Sequence, residues 1–171
     1  MKNLELIKYW VLDVDGTMTD GSIYYDESGN ELKKFNTKDA AGFFALHALD
    51  MKIIVITGRE CNATRRRMDE MKVDYIYQNI KNKKEFLETF LSENGILKEE
   101  VAYVGDDLND LSAMTLAGFI ACPKDSCTEI CEFADYVSSV CGGNGVIRDV
   151  VQYILKQRKQ WEEAISRAYS L

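Results

Sequence analysis

The stretch "WVLDVDGTMTDG", Trp10–Gly21, decides the fold of this chain. An apolar run leads directly into Asp13, a second aspartate follows at Asp15, and Gly16-Thr17 comes next. Residues two apart on a strand point the same way, so the two carboxylates share a face or lie side by side at the turn. Carboxylates that close repel each other unless they share a cation or a proton. The stretch therefore predicts a buried strand that delivers acidic groups to a site.

Short apolar runs alternate with helical patterns along the chain. The strand-like runs are, in order, "IKYWVLDV", "MKIIVIT", "VDYIY", "VAYVG", "GFIAC" and "ADYVSS". Helices are predicted at about 39–50, 60–72, 82–94, 108–117, 126–132 and 145–167. This alternation is typical of an α/β protein with a parallel sheet. One stretch, "GSIYYDESGNELKKFN", departs from it and predicts a protruding β-hairpin over about residues 22–35.

The amino-acid composition limits the classes to which this protein can belong. With 171 residues, 46% of them hydrophobic and 29% charged, we expect one globular domain over residues 1–171. The net charge of −7 argues against a nucleic-acid partner, and the short apolar runs argue against a membrane span. Five irregularly spaced cysteines and a single histidine complete no set of zinc ligands. We therefore expect the cysteines to be reduced thiols and the protein to be cytoplasmic.

Ionisable residues follow the predicted strands directly. Asp13 and Asp15 follow the first strand, Thr57-Gly58-Arg59 follows "VIT", and Asp106-Asp107 follows "VAYVG", with Asp110 one helical turn later. Ligands of open α/β sheets bind at the carboxyl ends of the strands. Oxygen ligands of this kind favour Mg²⁺, which also accepts phosphate oxygens. The spacing therefore predicts a magnesium site at this edge of the sheet.

These residues resemble the sequence motifs of the haloacid dehalogenase (HAD) superfamily. The first motif, DxDG[TV], stands as Asp13–Thr17, and the second, a Thr or Ser that closes a strand, as Thr57 with Gly58. The third, a lysine that opens a later helix, is best matched by Lys83 in "NIKNKKEF". The fourth, GDDxxD, is "GDDLND" at Gly105–Asp110. The resemblance covers nearly the whole chain and implies a Rossmann-like three-layer sandwich around a parallel central sheet.

The resemblance implies a phosphatase that works through an aspartyl-phosphate intermediate. Asp13 would be the nucleophile, and Asp15 would protonate the leaving alcohol and then activate the hydrolytic water. Thr57, the amide of Gly58 and Lys83 would hold the phosphoryl oxygens.

The same resemblance implies a set of metal ligands. Mg²⁺ would bind the side chains of Asp13 and Asp106 and the carbonyl of Asp15. Asp107 and Asp110 would support these ligands from behind, with Asp110 orienting the motif lysine.

Many relatives carry a cap domain over the site, but this chain has no room for one. Neither the gap over 16–56 nor that over 59–82 leaves space for a domain of roughly 50 residues beyond its predicted elements. We expect a site without a cap domain, which a neighbouring subunit borders.

Among the relatives without a cap, the chain is similar to phosphatases of 3-deoxy-D-manno-octulosonate 8-phosphate, an eight-carbon sugar acid of lipopolysaccharide precursor synthesis. The shared stretches include "KFNTKDAAG", "TGR", "YVGDDLND" and "CGGNGVIRDV". Arginine suits both the phosphate and the carboxylate of such a substrate. Besides Gly58, the resemblance implies substrate contacts at Asn36, Thr37, Lys38, Asp39, Arg59 and Arg67.

The same relatives form homotetramers, with hairpins and C-terminal tails bordering neighbouring sites. We expect this for the hairpin and for the tail, about 145–171. An apolar stripe at Trp161, Ile165 and Ala168 is the part of the tail expected to cover a neighbour.

Three alternatives remain open. Nine-carbon sugar-acid phosphatases share nearly every motif, although they tend to carry an acidic residue at the position of Arg59. Some relatives have a basic residue at the position of Phe44, where this chain would lack an anion contact. A non-catalytic assembly module of the kind attached to sugar-nucleotide synthetases is an alternative of another class. So is a phospho-accepting receiver domain, but its acceptor aspartate would end a middle strand, and this chain has Thr57 at that position.

Overall fold

Six parallel strands form the central sheet of the computed structural model, which describes residues 2–170. In chain order the elements are β1 (Tyr9–Leu12), β2 (Tyr24–Tyr25), β3 (Glu31–Leu32), α1 (Asp39–Ala48), β4 (Lys52–Ile56), α2 (Asn62–Glu70), β5 (Tyr75–Tyr77), α3 (Lys83–Glu93), β6 (Val101–Val104), α4 (Leu108–Met114), β7 (Phe119–Cys122), α5 (Thr128–Phe133), β8 (Tyr136–Val137), α6 (Val146–Gln157) and α7 (Trp161–Tyr169). Short 3₁₀ helices precede β1 at Leu4–Leu6 and β6 at Lys98–Glu100.

Strand β1 lies in the middle of the sheet, whose order is β5-β4-β1-β6-β7-β8. It pairs in parallel with β4 on one side and with β6 on the other. Trp10, Val11 and Leu12 are each fully buried, because helices cover both faces of the sheet. All six strands predicted from the apolar runs are present, and the α/β fold with a parallel sheet is confirmed.

The two faces of the sheet carry separate hydrophobic layers. Alternate residues of β1 divide between them: Trp10 and Leu12 face the layer that includes α1, α6 and α7, whereas Val11 faces the layer of α3, α4 and α5. This alternation follows from the two-residue period of a strand. Helices, sheet and helices thus form the three-layer sandwich implied by the sequence, with no separate cap domain among the described residues.

The predicted hairpin is present, but its strands are short. Tyr24 pairs with Leu32 and Tyr25 with Glu31 in an antiparallel ladder of β2 and β3. The turn is closed by Asp26, whose Oδ1 accepts hydrogen bonds from the backbone nitrogens of Ser28 at 2.9 Å and Asn30 at 2.8 Å. The hairpin forms its own two-stranded sheet and does not join the central one.

One prediction for the C-terminal region is wrong. The single helix predicted at about 145–167 is two helices, because Lys159 adopts a φ of +57° between α6 and α7. Trp161 and Ala164 are buried in the core and Ile165 packs against it, on the face that contacts α1 of the same chain. Two of the three residues of the predicted apolar stripe, Trp161 and Ile165, therefore pack within their own fold, and the expectation that the stripe covers a neighbour is wrong for these two side chains.

The remaining helix boundaries differ from the predictions by up to three residues.

Within residues 2–170, none of the helices combines the length and the apolar character that a bilayer crossing demands.

Candidate active site

The carboxyl ends of three neighbouring strands bring the predicted site residues together. Asp13 directly follows β1, Thr57 directly follows β4, and Asp106 follows β6 after one glycine. Asp13 is 2% exposed and Thr57 is 1% exposed, whereas Asp15 is half-buried at the turn. From β1 the chain adds β4 and β5 on one side of the sheet and later β6, β7 and β8 on the other. Open α/β sheets bind ligands at the carboxyl ends of the strands where the strand order switches sides in this way.

The turn after β1 requires glycine at Gly16. Its φ is +88°, and a Cβ built there would lie 1.9 Å from Oδ2 of Asp106. On the other side of Asp106, the hydroxyl of Thr17 lies 3.3 Å from Oδ1 and donates to it. The glycine-threonine pair of the first motif thus allows the close approach of the Asp106 carboxylate and then binds it.

The segment "CGGNG" packs against the same turn. A Cβ at Gly142 would lie 1.9 Å from the carbonyl oxygen of Gly16, and the backbone nitrogen of Gly143 donates to the carbonyl of Thr17 at 3.2 Å. Only a residue without a side chain allows this contact at Gly142. The segment therefore supports the turn that carries the acidic pair.

Lys83 lies at the first position of α3. Asn82 fixes that start, since its side-chain oxygen accepts a hydrogen bond from the backbone nitrogen of Glu85 at 3.2 Å. The Lys83 ammonium is 2.5 Å from Oδ1 of Asp13 and 2.7 Å from Oδ1 of Asp110. All three charged side chains are buried, so the lysine pairs with two carboxylates that water does not reach and offsets one of their two charges.

Tyr103 completes this buried network, although it belongs to none of the sequence motifs. It is a fully buried residue of β6, and its hydroxyl donates to Oδ1 of Asp110 at 2.7 Å. The backbone nitrogen of Asp106 donates to Oδ2 of the same carboxylate at 3.3 Å. Asp110 is therefore held on both oxygens and orients Lys83. The signal in the sequence was a tyrosine two positions before Gly105, within an otherwise aliphatic strand.

Burial and mutual repulsion change the acidity of the carboxyl groups. Burial, together with the charge of Asp110, raises the pKa of Asp13 well above its usual value. The same two causes raise the pKa of Asp106 to about 7. Burial alone would lower the pKa of Lys83, but the charges of Asp13 and Asp110 outweigh it and the net shift is upward. The site therefore has an excess of negative charge even with its lysine.

This excess fits a divalent cation. Carboxylate oxygens of Asp13, Asp106 and Asp110 lie within 4.8 Å of one another. Because both oxygens of Asp110 already accept hydrogen bonds, from Lys83 and Tyr103 on one and from the Asp106 backbone on the other, Asp13 and Asp106 are the side chains best placed to hold an ion. An all-oxygen donor set with raised pKa values suits Mg²⁺, which would lower those values again.

The hairpin folds over its own site, a contact not foreseen from the sequence. The ammonium of Lys33, just after β3, donates to Oδ1 of Asp15 and lies 2.9 Å from Oε1 of Glu31. Glu31 in turn accepts from Arg59, through Nε at 3.0 Å and Nη2 at 2.8 Å. The hydrogen bond from Arg59 lowers the pKa of Glu31 to about 2, so this carboxylate stays charged. Tyr25 accepts a further bond from Arg59 at 3.2 Å.

A small open cavity of about 210 Å³ lies at this edge of the sheet. It is lined by Asp13, Asp15, Thr57, Gly58, Arg59, Asp106, Asp107 and Asn109. Seven of these eight were singled out from the sequence, and Asn109 was missed although it stands within "GDDLND". Asp107 is exposed there and also begins α4, because its Oδ1 accepts from the backbone nitrogen of Leu108 at 2.8 Å.

The other predicted substrate contacts do not line this cavity. Asn36 donates to the carbonyl of Gly143 at 3.0 Å, and its own carbonyl accepts from Arg67 at 3.3 Å. Thr37 and Lys38 are exposed beside it. These residues connect the end of the hairpin to the glycine segment, so they lie near the site rather than in it.

Asp39, for which a substrate contact is expected, is buried and does not line the cavity. Its Oδ1 accepts from the backbone nitrogen of Arg148 at 3.2 Å, in the first turn of α6, and it is 4% exposed. Burial raises its pKa to about 6. Phe44, the position where some relatives are basic, packs edge-on against Tyr169 of α7 at 6.3 Å between ring centres. Both side chains contact a second helix, Asp39 the start of α6 and Phe44 the helix α7.

Comparison with known proteins gives consistent matches. The family model described as haloacid dehalogenase-like hydrolase matches residues 22–121. The 3-deoxy-D-manno-octulosonate 8-phosphate phosphatase KdsC of Escherichia coli is 35% identical over 164 residues, which are 96% of this chain and 87% of that protein. The KdsC protein of Haemophilus influenzae is 31% identical and covers 91% of this chain and 86% of its own length.

Solved structures of the same group superpose closely. The phosphatase of this name from Moraxella catarrhalis, in complex with magnesium ion, phosphate ion and KDO, matches with a TM-score of 0.90 at 34% identity. The match covers 95% of this chain and 94% of that one. The cobalt-bound phosphatase from Haemophilus influenzae matches with a TM-score of 0.87 at 30% identity, over 92% of each chain.

Proposed function

This chain belongs to the haloacid dehalogenase-like hydrolase family, and from that premise we propose that it is a magnesium-dependent phosphatase of 3-deoxy-D-manno-octulosonate 8-phosphate. The observation that carries the proposal is the buried contact of Lys83 with Asp13 and Asp110, beside Asp106 at the carboxyl edge of the sheet. A reactive carboxylate held next to a lysine and a cation site suits the transfer of a phosphoryl group.

In the first half-reaction, Asp13 attacks phosphorus and the bond to the leaving oxygen of the sugar breaks. Lys83 holds the nucleophile and balances the negative charge that accumulates on the phosphoryl oxygens. Thr57 and the amide of Gly58 donate to those oxygens from the end of β4. Asp15, at the half-buried turn, gives its proton to the leaving alcohol.

In the second half-reaction, Asp15 takes a proton from water as the water oxygen attacks the phosphorus of the aspartyl-phosphate. The bond from phosphorus to Asp13 breaks, and inorganic phosphate leaves. The same carboxyl group thus serves as acid and then as base.

Asp13 and Asp106 would hold Mg²⁺ with the backbone carbonyl of Asp15. When bound, Mg²⁺ supplies positive charge that reduces the repulsion between an anionic nucleophile and an anionic substrate. The raised pKa values of Asp13 and Asp106 support this assignment, because they result from burial and from the charge of Asp110, and a bound cation would offset both.

The size of the cavity supports a substrate that lies partly outside it. About 210 Å³ is below the 300 Å³ or more typical of pockets that enclose a whole ligand, so the cavity receives the phosphoryl group and the sugar extends over the hairpin. Arg59 lines the cavity and is 38% exposed, which suits recognition of the sugar-acid carboxylate. That carboxylate would compete with Glu31 for the guanidinium.

Steady-state kinetics test the proposal. Eight-carbon and nine-carbon sugar-acid phosphates would be compared side by side with Mg²⁺ and with excess chelator, in wild type and in Asp13→Asn. We expect a higher kcat/KM for the eight-carbon substrate, no turnover in chelator and none in the variant. Preference for the nine-carbon substrate would contradict the assigned sugar, and full activity of Asp13→Asn would contradict the covalent mechanism. A folded wild type that turns over neither substrate would favour the assembly module.

We also propose a homotetramer in the cytoplasm that contributes to lipopolysaccharide precursor synthesis. The hairpin supports the assembly: Ile23, Tyr24, Tyr25 and Leu32 are 49–63% exposed, an unusual density for a two-stranded ribbon in water. Since α7 packs on its own chain, we assign the contact with a neighbour to the hairpin. Sedimentation equilibrium should give four chains per particle, and a fully active monomer would contradict it.

A further inference from the structure

The hairpin carries a buried lysine that the mechanism above does not use. The Lys33 side chain is only 2% exposed, although it belongs to a protruding ribbon. Its ammonium lies between two carboxylates, donating to Oδ1 of Asp15 and lying 2.9 Å from Oε1 of Glu31. Burial of an ammonium is costly unless it is paired, so these two contacts account for its position.

Both oxygens of Asp15 accept hydrogen bonds. Lys33 donates to Oδ1, and the hydroxyl of Thr57 donates to Oδ2 at 3.3 Å. These two contacts fix the orientation of the Asp15 side chain at the cavity that it lines. General base catalysis requires a base in a fixed position within hydrogen-bond reach of the water that it activates. The contacts of Lys33 therefore suit a role in the second half-reaction.

On the basis of the proposed function, we propose that Lys33 is a positioning residue that holds Asp15 as the base for hydrolysis of the aspartyl-phosphate. In that step the water oxygen bonds to phosphorus, the bond from phosphorus to Asp13 breaks, and the water proton goes to Asp15. Lys33 contacts neither the phosphorus nor the water and acts only through the carboxylate.

Glu31 connects this lysine to the part of the site that faces the sugar. Arg59 donates to Glu31 through two nitrogens, and Glu31 in turn holds Lys33. The position of Lys33 therefore depends on the pair of Glu31 and Arg59 as well as on Asp15.

Rapid-quench kinetics with p-nitrophenyl phosphate and Mg²⁺ separate the two half-reactions. The phenolate leaves with little protonation, so its release reports the first half-reaction. Lys33→Met should keep a rapid release of one phenol per site and lower the steady-state rate at least about 10-fold, which is part of the roughly 10²–10⁴-fold that general base catalysis contributes. The matched control is Lys34→Met, since Lys34 is the adjacent lysine, is 63% exposed and pairs with Asp20. It should match wild type in both phases.

Two results would overturn the role of Lys33: an unchanged steady-state rate, or a rapid phase slowed as much as the steady state. The second would place Lys33 on the phosphoryl group. If thermal melting shows that Lys33→Met does not fold, Lys33→Gln enters the same measurement, because it keeps a donor and removes the charge. An inactive wild type would overturn the proposed function, whereas an active wild type with an unaffected variant overturns only this inference.

Discussion

The ammonium of Lys83 lies 2.5 Å from Oδ1 of Asp13, and both side chains are buried at the end of the central strand. They are 70 residues apart in sequence. The position of Lys83 depends in turn on Asp110, which accepts hydrogen bonds from Lys83 at 2.7 Å and from Tyr103 at 2.7 Å. Residues that never contact the substrate thus decide the position of the reactive carboxylate.

The first prediction concerns the buried hydroxyl of Tyr103. Tyr103→Phe removes one donor to Asp110 and keeps the ring, so the free energy of unfolding should fall by about 1–3 kcal/mol. Because Lys83 loses its fixed position, kcat should fall by up to about 100-fold. The control is Tyr153→Phe on α6, whose ring stacks on Tyr136 far from the site. Equal kcat in both variants would show that Tyr103 does not help to position Lys83.

The second prediction concerns the metal ligand Asp106. Asp106→Asn removes a carboxylate whose pKa is raised to about 7 by burial and by Asp110. Because the folded-state pKa is raised, this carboxyl stabilises the fold at acidic pH, and that contribution is lost as the pH rises through about 7. Without metal, the variant should therefore melt higher than wild type at pH 8.

Addition of Mg²⁺ should reverse that order. Wild type gains stability from ion binding, whereas the variant gains much less. Asp69→Asn is the control, because Asp69 is an exposed acid of α2 that pairs with Arg65 and does not line the cavity. Melting curves across a Mg²⁺ titration measure the effect, and equal shifts in wild type and Asp106→Asn would show that Asp106 is no ligand.

The third prediction concerns pH and Asp39. Burial raises its pKa in the folded state to about 6, against an ordinary value of 3.8. Wild-type stability from this group is full below about pH 4 and declines as the pH rises through 6, by about 2–3 kcal/mol. Asp39→Asn keeps an oxygen for the nitrogen of Arg148 and cannot ionise. The difference in unfolding free energy, variant minus wild type, should rise from pH 4 to 6 and then level off. A flat difference would contradict the burial of a charged Asp39.

The fourth prediction concerns the turn at Gly16. Gly16→Ala combines a φ of +88° with a Cβ that would lie 1.9 Å from Oδ2 of Asp106. Gly29→Ala is a matched control, since its φ is +80° and nothing lies within 4 Å of the added carbon. The control should cost about 1–2 kcal/mol from backbone strain and keep its activity. Gly16→Ala should lose activity and its stabilisation by Mg²⁺. Similar activity in the two variants would mean that the close approach to Asp106 is unimportant.

The sequence by itself determined the sheet and the residues at its carboxyl edge. Apolar runs such as "MKIIVIT" specify buried strands whatever surrounds them, because both faces of a parallel sheet are covered. Asp13, Thr57 and Asp106 are next to such runs, so their position at one edge follows from the local chain. The start of α3 at Lys83 was likewise readable, since Asn82 is a good helix cap.

Only the tertiary structure decided which side chains meet across long separations. Lys33 reaches Asp15 because the hairpin folds back on its own site, and no periodicity in a ribbon of two-residue strands specifies that direction. Asp39 turns into the core because the first turn of α6 offers backbone donors there. The break at Lys159 lets Trp161 pack near α1 instead of extending to a neighbour. Local propensity sets the elements, but the free energy of burying and pairing these groups depends on partners that the folded chain alone brings within reach.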